Sequence, residues 1–479
     1  MKPDVVLLRV MSNDDGQSSS RKPDASNVEP SRRTFLKATG AVATAGALGT
    51  QEVGAHGDYP PRVVGYYPYW ADNYEPGDVP YSKITHLNYA FLNVESDGTV
   101  VLADSSHDSL IKDLASYDDE NTVFEFSISD GWYPQDYSDA ASTSENRQRF
   151  AKTAVDHVLN YGFDGLDLDW EYPDGTTRDS DPENFALLVE AVRNELDERV
   201  GTWAHLTIAA SANPNTADKA YKDRIFDYLD HVNVMTYDYH GDWSNDTNFN
   251  APLDSPPEDP DGQQDWNVAH SMDYWAGRAV TKDKLVMGTP FYGRSYSGVS
   301  STNEGLFNSF DSSSSETYYN IQENILPQSD YEYHWHHDAK VPWLYSAAEG
   351  VFIAYDNEES ISNKCSFVND NGFGGVMCWE LSQDRSNTLI ADIHEYVHGG
   401  YTNAKFDDQE HTVTTADLSV RDGPGTSYTR IDTAPQGTTG TVTDGPVHND
   451  GYTWWKVDYY DGVSTGWSAQ GSDWLVWDY

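Results

Sequence analysis

The stretch Asp164-Gly165-Leu166-Asp167-Leu168-Asp169-Trp170-Glu171 sets acids at every second position of an otherwise apolar run. Side chains of an extended strand leave by alternate faces, so Asp167, Asp169 and Glu171 share one side while Leu166, Leu168 and Trp170 share the other. Three carboxylates crowded inside a fold cannot all ionise freely. The row is expected to hold at least one proton at neutral pH through its anionic neighbours, which is the condition of a general acid. A solvated edge strand would also carry acids on one face. The apolar opposite face and the lead-in Tyr161-Gly162-Phe163 argue for a buried strand instead.

Such a row needs a frame, and the chain supplies one between residues 60 and 398. Eight short apolar, β-branched or aromatic runs read as strands: 63–67, 86–94, 122–129, 165–171, 205–211, 231–238, 285–292 and 374–380. Amphipathic segments lie between several of them, the clearest at 146–161 and 181–200, where apolar residues recur at three- and four-residue spacing. Strand and helix in alternation imply an α/β fold, a (β/α)8 or TIM barrel, with its active site at the carboxyl ends of the strands. Residues 295–350 are too long for an ordinary loop and are read as a small α+β insertion between strands 7 and 8. Its aromatic residues (Phe307, Tyr318, Tyr319, Tyr331, Tyr333, Trp335, Trp343 and Tyr345) would either wall the cleft or pack the subdomain.

Four segments follow from the pattern: 1–57, a disordered start with an export signal; 58–400, the barrel; 401–411, an acidic linker; and 412–479, rich in strands and turns. Within the first, Ser31-Arg32-Arg33-Thr34-Phe35-Leu36-Lys37 followed by a weakly apolar run, 38–49, resembles the twin-arginine signal. Translation from Met11 would leave that signal intact. The run is too short to span a bilayer. The expectation is therefore an extracellular protein exported by the twin-arginine pathway.

Of the 479 residues, 78 are Asp or Glu and 30 are Lys or Arg, a net charge of −48. That balance excludes nucleic acid and anionic membranes as partners. Acids spread along the chain at this density look like the surface of a protein from a high-salt habitat. The two cysteines, Cys365 and Cys378, exclude a disulfide-rich scaffold and a cysteine zinc site, and buried free thiols are favoured over one disulfide.

The acidic octet resembles the signature Asp-Gly-x-Asp-x-Asp-x-Glu of glycoside hydrolase family 18, the chitinase family, at every fixed position. The resemblance implies that Glu171 is the proton donor, that Asp169 assists the substrate's acetamido group, and that Asp167 tunes Asp169. It extends to Met235-Thr236-Tyr237-Asp238, where Tyr237 and Asp238 would hold the N-acetyl group. Trp379 would form the floor under the sugar, and Arg294 would line the cleft. Phe91, Trp132, Tyr172 and Met235 would make further contacts by the same resemblance. The family's mechanism is retaining and uses the substrate itself as nucleophile, so it requires no metal or organic cofactor. The implied partner is chitin or a chitooligosaccharide, acted on by a monomer. The same chemistry on another N-acetylglucosaminyl glycan, and a lectin that binds without cleaving, are the alternatives; the intact Glu171 opposes the lectin.

One departure stands out: the third strand of the family runs Ser-x-Gly-Gly, where this chain has Ser127-Ile128-Ser129-Asp130. Either the turn is re-routed or Asp130 alters the donor's surroundings. The segment 412–479, with Leu418-Ser419-Val420-Arg421, Trp455-Lys456-Val457 and Gly466-Trp467, resembles the bacterial Src-homology-3-type domain, a small all-β barrel.

The charge generates a prediction. Screening length falls from about 10 Å at 0.1 M salt to about 3 Å at 1 M, so repulsion between neighbouring carboxylates is relieved only near molar salt. The thermal midpoint and the hydrolytic rate should both rise as sodium chloride goes from dilute to molar. Equal stability and rate in dilute buffer would show the acids to be neutralised by pairing or bound ions.

Overall fold

The computed structural model describes residues 61–398 and 411–477, apart from 119–120, 130–132, 261–264, 415–417, 427, 450–451, 461 and 471–474. The signal, most of the linker, Asp130 and Trp132 lie outside the described residues.

Eight parallel strands close on themselves: β1 (Arg62–Pro68), β2 (His86–Val94), β3 (Val123–Ser129), β4 (Gly165–Asp169), β5 (His205–Ser211), β6 (His231–Met235), β7 (Leu285–Pro290) and β8 (Gly375–Trp379). β8 pairs with β1 and β1 with β2, which completes the barrel. Val100–Leu102 adds one antiparallel strand beside the end of β2.

Local sequence signals fix the ends of the two long helices packed beside β4. In Ser144–Tyr161 the Thr143 side chain accepts a hydrogen bond from the Asn146 N–H, and Gly162 closes the other end at φ +81°, a conformation that costs glycine little. Phe150, Ala151, Ala154, Val155 and Val158 bury the face between. Asp181–Arg199 places Asp181 and Glu183 in its first turn and Arg199 in its last, matching the helix dipole. The connection after β1 departs from the alternation. It holds only the 3-10 turns Pro76–Asp78 and Tyr81–Lys83, because Pro76, Gly77 and Pro80 interrupt any longer helix.

The alternation read along the acidic octet organises both sides of β4. Leu166, Leu168 and Trp170 are buried in the layer between barrel and helices, where the Trp170 ring stacks on Tyr137 at 4.8 Å. β4 ends at Asp169, two residues short of the expected limit, so Glu171 stands beyond the strand and is exposed.

The insertion is a five-stranded antiparallel sheet in the order Ser312–Thr317, Tyr292–Ser297, Val351–Ala354, Val341–Ser346, Glu332–His336, with the short helix Tyr318–Asn320. Of the two roles open to its aromatics, Trp343 and Tyr345 take the packing one, in a core with Phe249, Tyr296 and Phe352. Tyr318 is buried as well, while Tyr333 stays exposed. The C-terminal part is a seven-stranded antiparallel sheet over a core of Leu418, Val420, Trp455 and Val457. Cys365 and Cys378 are free and buried. Among the described residues no helix is long and apolar enough to cross a membrane.

Asp392, on the helix Thr388–His398, has its carboxyl pushed up to about 7, first by loss of hydration and then by Glu358, Glu395 and Asp384. A carboxyl that binds its proton more tightly in the folded state contributes stability that is complete below its unfolded value, 3.8, and is lost as pH rises through about 7. Asp392→Asn should therefore unfold at higher urea than wild type at pH 8 and lose that advantage near pH 4. A constant difference between the two proteins across this range would contradict the assignment.

Candidate active site

Asp167, Asp169 and Glu171 climb from the barrel interior to its rim: Asp167 is 0% exposed, Asp169 5%, and Glu171 is open to solvent. Four strands converge on the lowest of them. The Tyr66 hydroxyl of β1 and the Ser127 hydroxyl of β3 each donate to Asp167 Oδ2 at 2.8 Å. Thr207 of β5 donates to Oδ1 at 2.7 Å and the Asn233 amide of β6 to the same atom at 3.5 Å. The Asp167 carboxyl is nevertheless raised, because loss of hydration outweighs the four donors. Crowding by other anions was the expected cause; burial is the leading one, since the row rises toward solvent and the acids do not share one depth.

Tyrosines ring the upper acids. Tyr66, Tyr172 and Tyr237 are each held well above the usual phenol range, burial being the largest cause in every case. Asp169 contributes to all three shifts, and Glu171 to those of Tyr172 and Tyr237, with a hydrogen bond between Tyr172 and Glu171. These hydroxyls remain protonated donors beside the carboxyls. Tyr237 fits only because β7 has a glycine below it: a Cβ at Gly288 would lie 2.9 Å from the Tyr237 ring and 2.6 Å from the Val234 carbonyl oxygen. The Tyr237 hydroxyl points to Met377 Sδ at 3.9 Å.

Asp238 adopts φ +60°, a left-handed conformation that aspartate tolerates better than most residues. It accepts a hydrogen bond from the Tyr292 hydroxyl at 2.6 Å and pairs with Arg294, whose guanidinium lies over the Trp243 ring at 5.2 Å. Asp238 and Arg294 are thus brought together by β6 and by the first strand of the insertion. Trp379 ends β8, half-buried, with the Phe91 ring stacked at 5.6 Å, Tyr66 at 5.3 Å and Trp70 at 6.0 Å. The half-buried Met235 packs against the inner apolar patch that includes Val64, Val286 and Met377. Three non-proline peptide bonds at these strand ends are cis: Ala90–Phe91, Glu171–Tyr172 and Trp379–Glu380.

Several residues of this site escaped the sequence reading. Tyr66, Ser127, Thr207 and Asn233 each look like ordinary strand residues and gain meaning only when four strands close round Asp167. Their one signal is polarity at an inward position of an apolar run. Trp70, 47% exposed, and Trp243, 53%, are loop residues whose positions follow from the fold alone.

A closed (β/α)8 barrel with an acid row opening at the carboxyl ends of its strands, floored by aromatics, defines a glycosidase-type cleft. The family described as Glycosyl hydrolases family 18 matches residues 62–384, and the chain belongs to that family. A bacterial SH3 domain matches residues 416–475. The twin-arginine translocation signal matches residues 29–49, and the chain is exported by that pathway. Chitinase A1 of Niallia circulans is 33% identical over 400 residues, 68% of this chain and 57% of that protein, so the chain spans little more than half of that relative. Chitinase 1 of Aphanocladium album is 31% identical over 70% of this chain and 86% of its own length. The crystal structure of the Ostrinia furnacalis Group IV chitinase in complex with allosamidin superposes with TM-score 0.64 and 28% identity, over 70% of this chain and 97% of that one.

Tyr66→Phe deletes one donor to the buried Asp167 carboxyl while keeping the ring. A hydrogen bond to a charged group contributes about 1.5–3 kcal/mol, so the variant should lose stability of that order in urea unfolding at pH 7. An unchanged midpoint would show that Asp167 does not depend on this donor.

Proposed function

We propose that the chain hydrolyses β-1,4-linked N-acetylglucosamine polymers, chitin and its oligosaccharides, by a substrate-assisted retaining mechanism. Glu171 protonates the glycosidic oxygen as the bond to the anomeric carbon breaks. The carbonyl oxygen of the sugar's 2-acetamido group attacks that carbon from the opposite side. Asp169 and Tyr237 orient and stabilise the resulting oxazolinium. Water deprotonated by Glu171 then opens the ring with retention. Asp167 shares protons with Asp169 from below, and Trp379 with Phe91, Trp70 and Trp132 offers flat faces to the pyranose rings. Tyr172, Met235, Asp238 and Arg294 line the remaining cleft. The observation that carries this reading is the row itself, two buried carboxyls beneath one exposed carboxyl with Tyr237 beside it. The relatives, named chitinases, support the choice of polymer.

The proposed division is a barrel at 58–400, a linker at 401–411 and a separate domain at 412–479 that holds the enzyme to its insoluble substrate. The high-salt adaptation and the monomeric state belong to the same proposal; the charge of −48 supports the first.

Glu171→Gln keeps the shape of the side chain but cannot deliver a proton. It should bind chitooligosaccharide like wild type and lose hydrolysis by roughly 10²–10⁴-fold or more. Turnover near the wild-type rate would remove Glu171 from the role. Deleting residues 412–479 should leave cleavage of soluble oligomers unchanged and slow attack on insoluble chitin. Loss of soluble-substrate activity in a folded truncate would place this segment in the cleft instead.

A further inference from the structure

The opposite end of the barrel carries a second polar cluster that hydrolysis does not use. His86, His205 and His231 are the first residues of β2, β5 and β6, and all three turn inward at the amino ends of the strands. Candidate ligand nitrogens of the three lie within 4.8 Å of one another, with the His86 ring 5.1 Å from His231 and 5.3 Å from His205 between centroids. His231 is wholly buried, and neither ring nitrogen has a hydrogen bond of normal geometry. On β3, Glu125 is also wholly buried, and both its carboxylate oxygens lack a hydrogen-bond partner. Its register partner on β2 is Asn88, buried with both amide atoms unsatisfied. Buried polar atoms without partners are costly, and native folds leave few.

We propose that this end of the barrel is a binding site for a divalent transition ion of the zinc class, ligated by His86, His205 and His231. Three imidazoles and one further position are the donor set such an ion favours. Tetrahedral coordination at about 2.0–2.1 Å needs the nitrogens about 3.4 Å apart, so the rings must close up from the present spacing on binding. Arg62 is the opposing charge, and its guanidinium donates to the Asp283 carbonyl at 2.7 Å. His205 is level with Gly165, six residues before Glu171, so the ion would lie roughly 20 Å below the acid. Its role is to tie three strands at the base, where barrel residues act on stability.

The full chain, stripped with a chelator and titrated with cobalt(II) chloride, should bind about one ion per chain with the intense visible absorption of a nitrogen-ligated tetrahedral centre. Zinc chloride should displace the cobalt and raise the thermal midpoint by several degrees, and magnesium chloride should do neither. His231→Gln should lose the band and the zinc-dependent shift while keeping the hydrolytic rate on soluble oligomers. A stripped wild-type chain that shows neither the band nor the shift would overturn the proposal whether or not the variant folds, and would leave these atoms to internal water. A band that persists in folded His231→Gln would place the ion elsewhere and overturn it equally.

Discussion

Asp167 is a carboxyl with no access to water, and the inner wall of the barrel is arranged round keeping it there. Four donors from β1, β3, β5 and β6 reach its two oxygens, and each can do so only while its strand holds the register that places it at the same level. A slip of one residue in any of these strands would turn the donor to the outer face and leave a buried acceptor unsatisfied, at about 1–3 kcal/mol or more. Closure of the barrel and positioning of the acid row are therefore one constraint. Asp169 inherits its height from Asp167, because strand geometry separates alternate residues by a fixed rise, and Glu171 follows just beyond the strand end.

The same arrangement explains how one strand produces three different carboxyls. Asp167 is buried but rich in donors, Asp169 is nearly buried among tyrosine hydroxyls, and Glu171 has left the strand and meets solvent. Differences of environment, with no change of residue type, separate the tasks of acids in a cleft. Around them the aromatic floor and the Asp238–Arg294 pair come from distant elements, β2, β8, the end of β6 and the insertion.

Much of this was legible in the sequence because periodicity survives without tertiary context. The strands at 86–94 and 205–211 match their observed limits, and the alternation at 165–171 placed Leu166, Leu168 and Trp170 on the opposite face from the acids. What could not be read depended on register between strands remote in the chain. Ser127 and Thr207 are common strand residues, and nothing in their neighbours says that both meet one carboxylate. Composition left Trp343 and Tyr345 open between cleft wall and subdomain core, and the insertion, which needs a core of its own, takes them for it. His86, His205 and His231 are scattered singly, so their convergence at the base of the barrel is a property of closure alone.

The account rests on Glu171 acting on a bond whose nucleophile is the substrate's own acetamido oxygen, above carboxyls too buried to attack. The stereochemistry of the freshly released reducing end reports this directly. Chitooligosaccharide hydrolysed in an NMR tube and observed before mutarotation should release the β-anomer first, the retained configuration. Initial release of the α-anomer would mean direct attack by water from the opposite face, and would contradict the roles assigned to Asp167, Asp169 and Tyr237 together.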